Sequence, residues 1–229
     1  MTVSFLGNIG PSTRATDSNF ETGDAIGVFA IEKTSSNPDG DILTSNHADN
    51  VKYSYSGGSF KGASTVIKQI TFQRLMFYKA IYPYTSSARN EFTFSVKTNQ
   101  SYGDYYTLSD LMTADTEATT EVTPHLVFSH KLSNIIINLK YEEKPGGSEQ
   151  MFFNVLVEAK ANINENTFTA FGTTKTVIAS GNGNNSFKVI LPPQTIAEKV
   201  TLITLKVGSK TFTFFPESDF IWKSGMQYT

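Results

Sequence analysis

The 229-residue chain contains no cysteine. That absence excludes thiol catalysis, thiolate metal sites and a disulfide framework. Charge is also sparse: 17% of residues, 19 basic against 21 acidic, for a net charge of −2. No run of Lys or Arg is present to follow a phosphate backbone, so nucleic acid is not an expected partner. No apolar run approaches the roughly 20 residues of a membrane-spanning helix. The opening MTVSFLGNIG lacks the basic and apolar regions of a signal peptide. Long stretches with apolar residues at helical spacing are missing, and so are internal repeats with shared signature residues. What the chain has instead is aromatic residues, 18 Phe and 10 Tyr, in a composition that is 39% hydrophobic. Such residues suit pleated, half-buried surfaces, and the chain reads as all-β.

The stretch Leu126 to Tyr141, LVFSHKLSNIIINLKY, organises the rest. Its apolar side chains fall on even positions at Leu126, Phe128 and Leu132, then on odd positions at Ile135, Ile137, Leu139 and Tyr141. A one-residue slip turns every side chain to the other face, so the change of parity at Ser133-Asn134 demands a bulge or a crossing between two sheets. Before this stretch, the run TEATTEVT carries few large apolar groups, and the domain junction is expected there, near Val122. Two β domains follow, residues 1–122 and 123–229.

In the first, Val3-Ser-Phe5 is a short alternating segment ended by Gly7, followed by the polar GPSTRATDSN with Arg14 in its middle. Tyr53 and Tyr55 alternate before Gly57-Gly58, the signature of a hairpin. LMFYKAIYPY is apolar on both parities, a strand with both faces covered, and it is expected to pair with the strand Glu91 to Lys97 across TSSARN. Ser109-Asp110 is placed to cap a helical turn. In the second, Phe153, Val155, Val157 and Ala159 alternate. Pro192-Pro193 ends the strand of Phe187, Val189 and Leu191, and Gly208-Ser209-Lys210 joins a tight hairpin. A last strand begins at Met226 and stops at Thr229, which leaves it incomplete.

Few constellations carry chemistry. His125 and His130 have opposite parity and cannot share a metal on a straight strand, so His130 reads as a hydrogen-bonded structural residue. Asn37-Pro-Asp39-Gly-Asp41 starts like a calcium loop, but the twelfth position is Ala48 where a bidentate Glu is needed. No GxSxG elbow or GxGxxG phosphate loop is present. No catalytic residue, metal site or cofactor is therefore assigned. Tyr82, Tyr84, Tyr102, Tyr105 and Tyr106 present rings suited to stacking on a sugar, though core or interface packing explains tyrosines equally well.

Taken in order, STRATDSNF, GDAIGVFA, FYKAIYPY, SDLMTAD, LVFSHKLSNIIINL, LPPQTI and FIWKSGMQY resemble the fimbrillin-like (Mfa-like) family of surface proteins, which includes type V pilus subunits of Bacteroidetes-type bacteria. The resemblance spans Ser12 to Tyr228. It implies two transthyretin-like β-sandwich domains in tandem and an adhesive, structural role at the outer membrane or on cell-surface fimbriae. Members of the family are exported, anchored through a lipidated cysteine, trimmed at an Arg and polymerised by strand exchange with other pilus subunits. On that pattern Arg14 is the processing site, Val3, Phe5 and Ile9 belong to the displaced N-terminal strand, and Met226 and Tyr228 begin the donor strand. The lipidated cysteine is absent from this chain, so membrane contact through a lipid anchor is not expected of it as it stands. The alternative is a monomeric surface lipoprotein that binds a glycan or a host protein.

Overall fold

A computed structural model describes residues 2–10, 19–68, 74–143, 146–181 and 183–229. Among them, every regular element except one short 3-10 turn at Thr107–Ser109 is a β-strand. The first eight strands are β1 (Leu6–Ile9), β2 (Ala25–Glu32), β3 (Ala48–Ser56), β4 (Ser59–Gly62), β5 (Met76–Tyr82), β6 (Glu91–Ser95), β7 (Met112–Asp115) and β8 (His125–His130). Then come β9 (Ser133–Asn138), β10 (Glu149–Asn162), β11 (Thr167–Ile178), β12 (Ser180–Gly181) and β13 (Ser186–Leu191). The last are β14 (Thr195–Ile196), β15 (Ile203–Val207), β16 (Lys210–Phe214), β17 (Phe220–Ile221) and β18 (Gln227–Tyr228). The chain divides into two compact units. One is Met1–Phe92 with Leu111–His130 and Ala161–Thr167; the other is Thr93–Asp110 with Lys131–Lys160 and Phe168–Thr229. The first unit thus includes β8, which lies beyond Val122, and also takes in Ala161–Thr167.

The first unit holds a seven-stranded sheet in the order β1-β8-β7-β5-β2-β3-β4. β5 lies between β2 and β7, and six of its seven residues are buried, which is why its sequence is apolar on both parities. Both of its edges are filled, so the expected pairing with β6 does not form; β6 pairs with β10 instead. The turn between β3 and β4 carries Gly57 and Gly58 at φ of 56° and 83°, a geometry only glycine adopts at no steric cost. Phe5, Phe20, Tyr53, Phe60, Tyr78, Tyr82 and Phe128 form the aromatic part of the core.

The parity change in the central stretch is a crossing. Leu126, Phe128, His130 and Leu132 are buried on even positions, and β8 belongs to the seven-stranded sheet. Ser133, Asn134 and Ile135 are all buried, and β9 belongs to a second, four-stranded sheet in the order β12-β13-β9-β18.

In the second unit, a further sheet runs β11-β10-β15-β16, with β6 also on β10, and β14 pairs with β17. β10 buries every second residue from Met151 to Ala161, as the alternation requires. Two buried glutamines stand in for strand backbone. The Gln100 amide donates to the Ile190 carbonyl at 2.7 Å and accepts from its N–H at 2.8 Å, and Gln194 does the same with Leu156 at 3.1 and 3.0 Å. Each satisfies groups that burial would otherwise leave without water. Ser109 does not open a helical turn. It closes the 3-10 turn, its hydroxyl donating back to the Tyr105 carbonyl at 2.7 Å.

Candidate functional site: the seat of the N-terminal strand

Residues 2–10 touch both ends of the seven-stranded sheet. On one side β1 pairs in parallel with β8, with Leu6 opposite His125 and Ile9 opposite Phe128. On the other, Phe5 pairs antiparallel with Phe60 of β4, its N–H donating at 3.1 Å and its carbonyl accepting at 2.8 Å. Val3 N–H donates to Ile67 at 2.9 Å, Ser4 N–H to Val122 at 3.0 Å, and Gly10 N–H to Phe128 at 2.8 Å. Gly7 lies inside this strand and does not end it.

Odd residues point inward. Val3 is 1% exposed and Phe5 not at all, whereas Leu6 is 44% exposed; Gly7 and Ile9 are half-buried. The Phe5 ring sits edge-on between Tyr53 at 4.9 Å and Tyr78 at 5.2 Å. The Tyr53 hydroxyl donates to the Val3 carbonyl at 3.2 Å and accepts from the Ile67 N–H at 2.8 Å, tying the segment to the loop after β4. Burial pushes the Tyr53 phenol up, with the Ile67 hydrogen bond acting against it, and burial with the nearby Tyr53 charge pushes Tyr78 up to about 12.

The other residues singled out from the sequence fall in several places. Arg14 lies outside the described residues. At the far end of the chain, β18 runs parallel to β9, Gln227 opposite Asn134 and Tyr228 opposite Ile135, and the Met226 carbonyl accepts from Asn134 N–H at 2.9 Å. The Tyr228 hydroxyl accepts from Lys223 N–H at 2.8 Å. The five tyrosines do not form one surface. Tyr82 and Tyr106 are buried, donating to Asp24 at 2.9 Å and Asn134 at 3.1 Å. Tyr84 belongs to the first unit and carries the Lys52 ammonium 5.3 Å from its ring centre. Tyr102, 65% exposed, meets Tyr105 edge-on at 5.3 Å in the second. His130 is buried at the end of β8, opposite Met112. Among the described residues no group of His, Asp and Glu is placed to hold a metal ion, and no helix is long and apolar enough to cross a membrane.

Residues 2–10 thus join both ends of the sheet to which they belong. The fimbrillin-like family model matches residues 13–229. The chain belongs to the fimbrillin-like family. This family is structural, not enzymatic. The fimbrillin-like chain is similar in fold to a protein assigned to cell adhesion from Bacteroides ovatus, at 17% identity and a TM-score of 0.75 over 98% of this chain and 89% of that one. A protein from Bacteroides uniformis, also assigned to cell adhesion, aligns at 22% identity and a TM-score of 0.68 over 99% and 90%. A fimbrial protein from Bacteroides ovatus aligns at 19% identity and 0.53, over 99% of this chain but 46% of that one. No curated protein matches the chain.

Sequence reasoning placed Val3, Phe5 and Ile9 in the N-terminal strand but missed what receives them. Tyr53, Phe60, Tyr78 and Phe128 line the seat of this fimbrillin-like chain. The signal available for Tyr53 was its alternation with Tyr55. Nothing in the sequence joins Phe60 to Phe5.

Proposed function

We propose that this fimbrillin-like protein is a structural and adhesive subunit of a cell-surface pilus, assembled by replacing residues 2–10 with a strand from another subunit. The observation that carries the reading is the double pairing of the N-terminal segment. A strand lost from there opens two edges at once, β8 and β4, and uncovers the sites of Val3 and Phe5. Exposed edges are templates for another strand. Covering each apolar side chain is worth roughly 1.5 to 3 kcal/mol, so an incoming strand recovers several times the thermal energy. Cleavage after Arg14 would free the segment, and the strand starting at Met226 would be the donor. Release from the rest of the chain turns an intramolecular strand into an exchangeable one, because its high effective concentration is lost.

The same reading includes export to the outer membrane, a lipid anchor on the mature subunit and two transthyretin-like domains, the last supported by the two compact units. The test is mass analysis of subunits in fimbriae from the producing cell. Chains beginning at Ala15 are expected; fibres built from chains that keep residues 1–14 would overturn the reading.

A second reading, a monomeric surface protein that binds a glycan or host protein, has one feature in its favour. A groove of about 380 Å³ lies beside Tyr84, lined by Asp49, Lys52, Ser54 and Thr65 among others. It predicts glycan binding that Tyr84→Ala abolishes, with no fibre containing the chain.

A further inference from the structure

We propose that the groove left by residues 2–10 selects its occupant by a glycine at the Gly7 position. The partner is an extended strand running parallel to β8, with an aliphatic residue, an aromatic, a glycine and an aliphatic at alternate positions. The inference rests on the strand-exchange reading and adds a rule for which strands fit.

The rule comes from the inward residues, Val3, Phe5, Gly7 and Ile9. A Cβ on Gly7 would stand 2.8 Å from Cε2 and 3.2 Å from Cδ2 of Phe60, and 3.6 Å from Cε2 of Phe128. The Gly7 backbone is not in the left-handed region, so lack of space and not backbone freedom demands glycine there. The neighbouring rings have nowhere to go. Phe60 and Phe128 are fully buried, and Phe60 is held edge-on by Phe20 at 4.9 Å and Tyr55 at 5.0 Å, while Phe128 is held by Phe20 at 5.1 Å. Interiors packed like this respond to one added carbon.

Polarity is set as firmly. The occupant must run parallel to Leu126–Phe128 and antiparallel to Phe60 at once. A strand entering backwards would replace the parallel ladder by an antiparallel one, whose hydrogen bonds are spaced differently. Filling the groove with the wrong residue at the Gly7 site would leave Phe60 displaced or the strand lifted from β8. Selection therefore works by exclusion at one site and by apolar fit at the others.

The test uses the full chain cut after Arg14 and a labelled synthetic peptide of residues 2–10, with binding read by fluorescence anisotropy. Three peptides are compared: the natural sequence, one with Gly7→Ala, and one with Asn8→Ala at an outward, exposed position. The natural and Asn8→Ala peptides are expected to bind alike, and the Gly7→Ala peptide about 10- to 100-fold more weakly, the range for one overpacked carbon. Equal binding of all three would overturn the glycine rule and leave strand exchange standing. Binding by none, with residues 2–10 shown by mass analysis to have left the cut chain, would overturn strand exchange and the rule with it.

Discussion

Tyr53 performs two tasks with one oxygen, holding the Val3 carbonyl and the Ile67 N–H inside the core. Tyr53→Phe keeps the ring and leaves both groups buried without a partner, so the expected loss is about 1 to 3 kcal/mol in urea denaturation. A change within experimental error would show that the seat does not depend on that bridge. Tyr78 adds a pH dependence. Its phenol is raised above the ordinary value of 10 to about 12, mainly by burial, so the unfolded phenol ionises first. Stability from this residue is whole below pH 10 and lost as pH climbs through about 12. Denaturation over that window should show the fall, and Tyr78→Phe should make it shallower, leaving the part that the raised Tyr53 phenol contributes; an equally steep fall in the variant would assign it elsewhere. At this scale the sequence was only partly legible. Alternation marks which tyrosines share a face, but aromatic residues serve core and surface alike, and Tyr82 and Tyr106 went to the core. Gly7 read as a strand end because its role is set by Phe60, distant in the chain.

Elements were more legible where period and parity speak. The apolar run of β5, the alternation of β10, the hairpin of β15 and β16, and the parity change between β8 and β9 all follow from the spacing of side chains. Partner choice does not. β5 and β6 follow one another in the chain, yet the edges of β5 go to β2 and β7, because neighbours in sequence compete with every other strand. Burial likewise separates two sets of phenylalanines. Phe5 in the N-terminal segment is wholly buried, whereas Phe212 and Phe214 on the edge strand β16 are 46% and 53% exposed. Phe5→Ala is expected to cost about 3 to 5 kcal/mol, as for other buried rings. Phe212→Thr and Phe214→Thr should each stay within about 0.5 kcal/mol of the natural chain. The comparison needs only thermal or urea denaturation, and a β16 variant as damaging as Phe5→Ala would contradict this division of the fold.

At the scale of the whole molecule, the all-β class and the family were legible from composition and from motifs in order, and residues 13–229 match the family. The arrangement that gives the N-terminal segment two neighbours was not, since β8 lies more than half the chain away from that segment and β4 lies elsewhere again, at Phe60. The central claim is that residues 2–10 are a replaceable strand. Because the chain has no cysteine, a reversible lock is simple to install. Leu6 and His125 are register partners and both exposed, so Leu6→Cys with His125→Cys places two thiols across the β1 to β8 pair. The measurement is uptake of the labelled peptide of residues 2–10 by this variant, cut after Arg14, before and after reduction. The account predicts no uptake while the pair is oxidised and full uptake once it is reduced. Equal uptake in both states would contradict it.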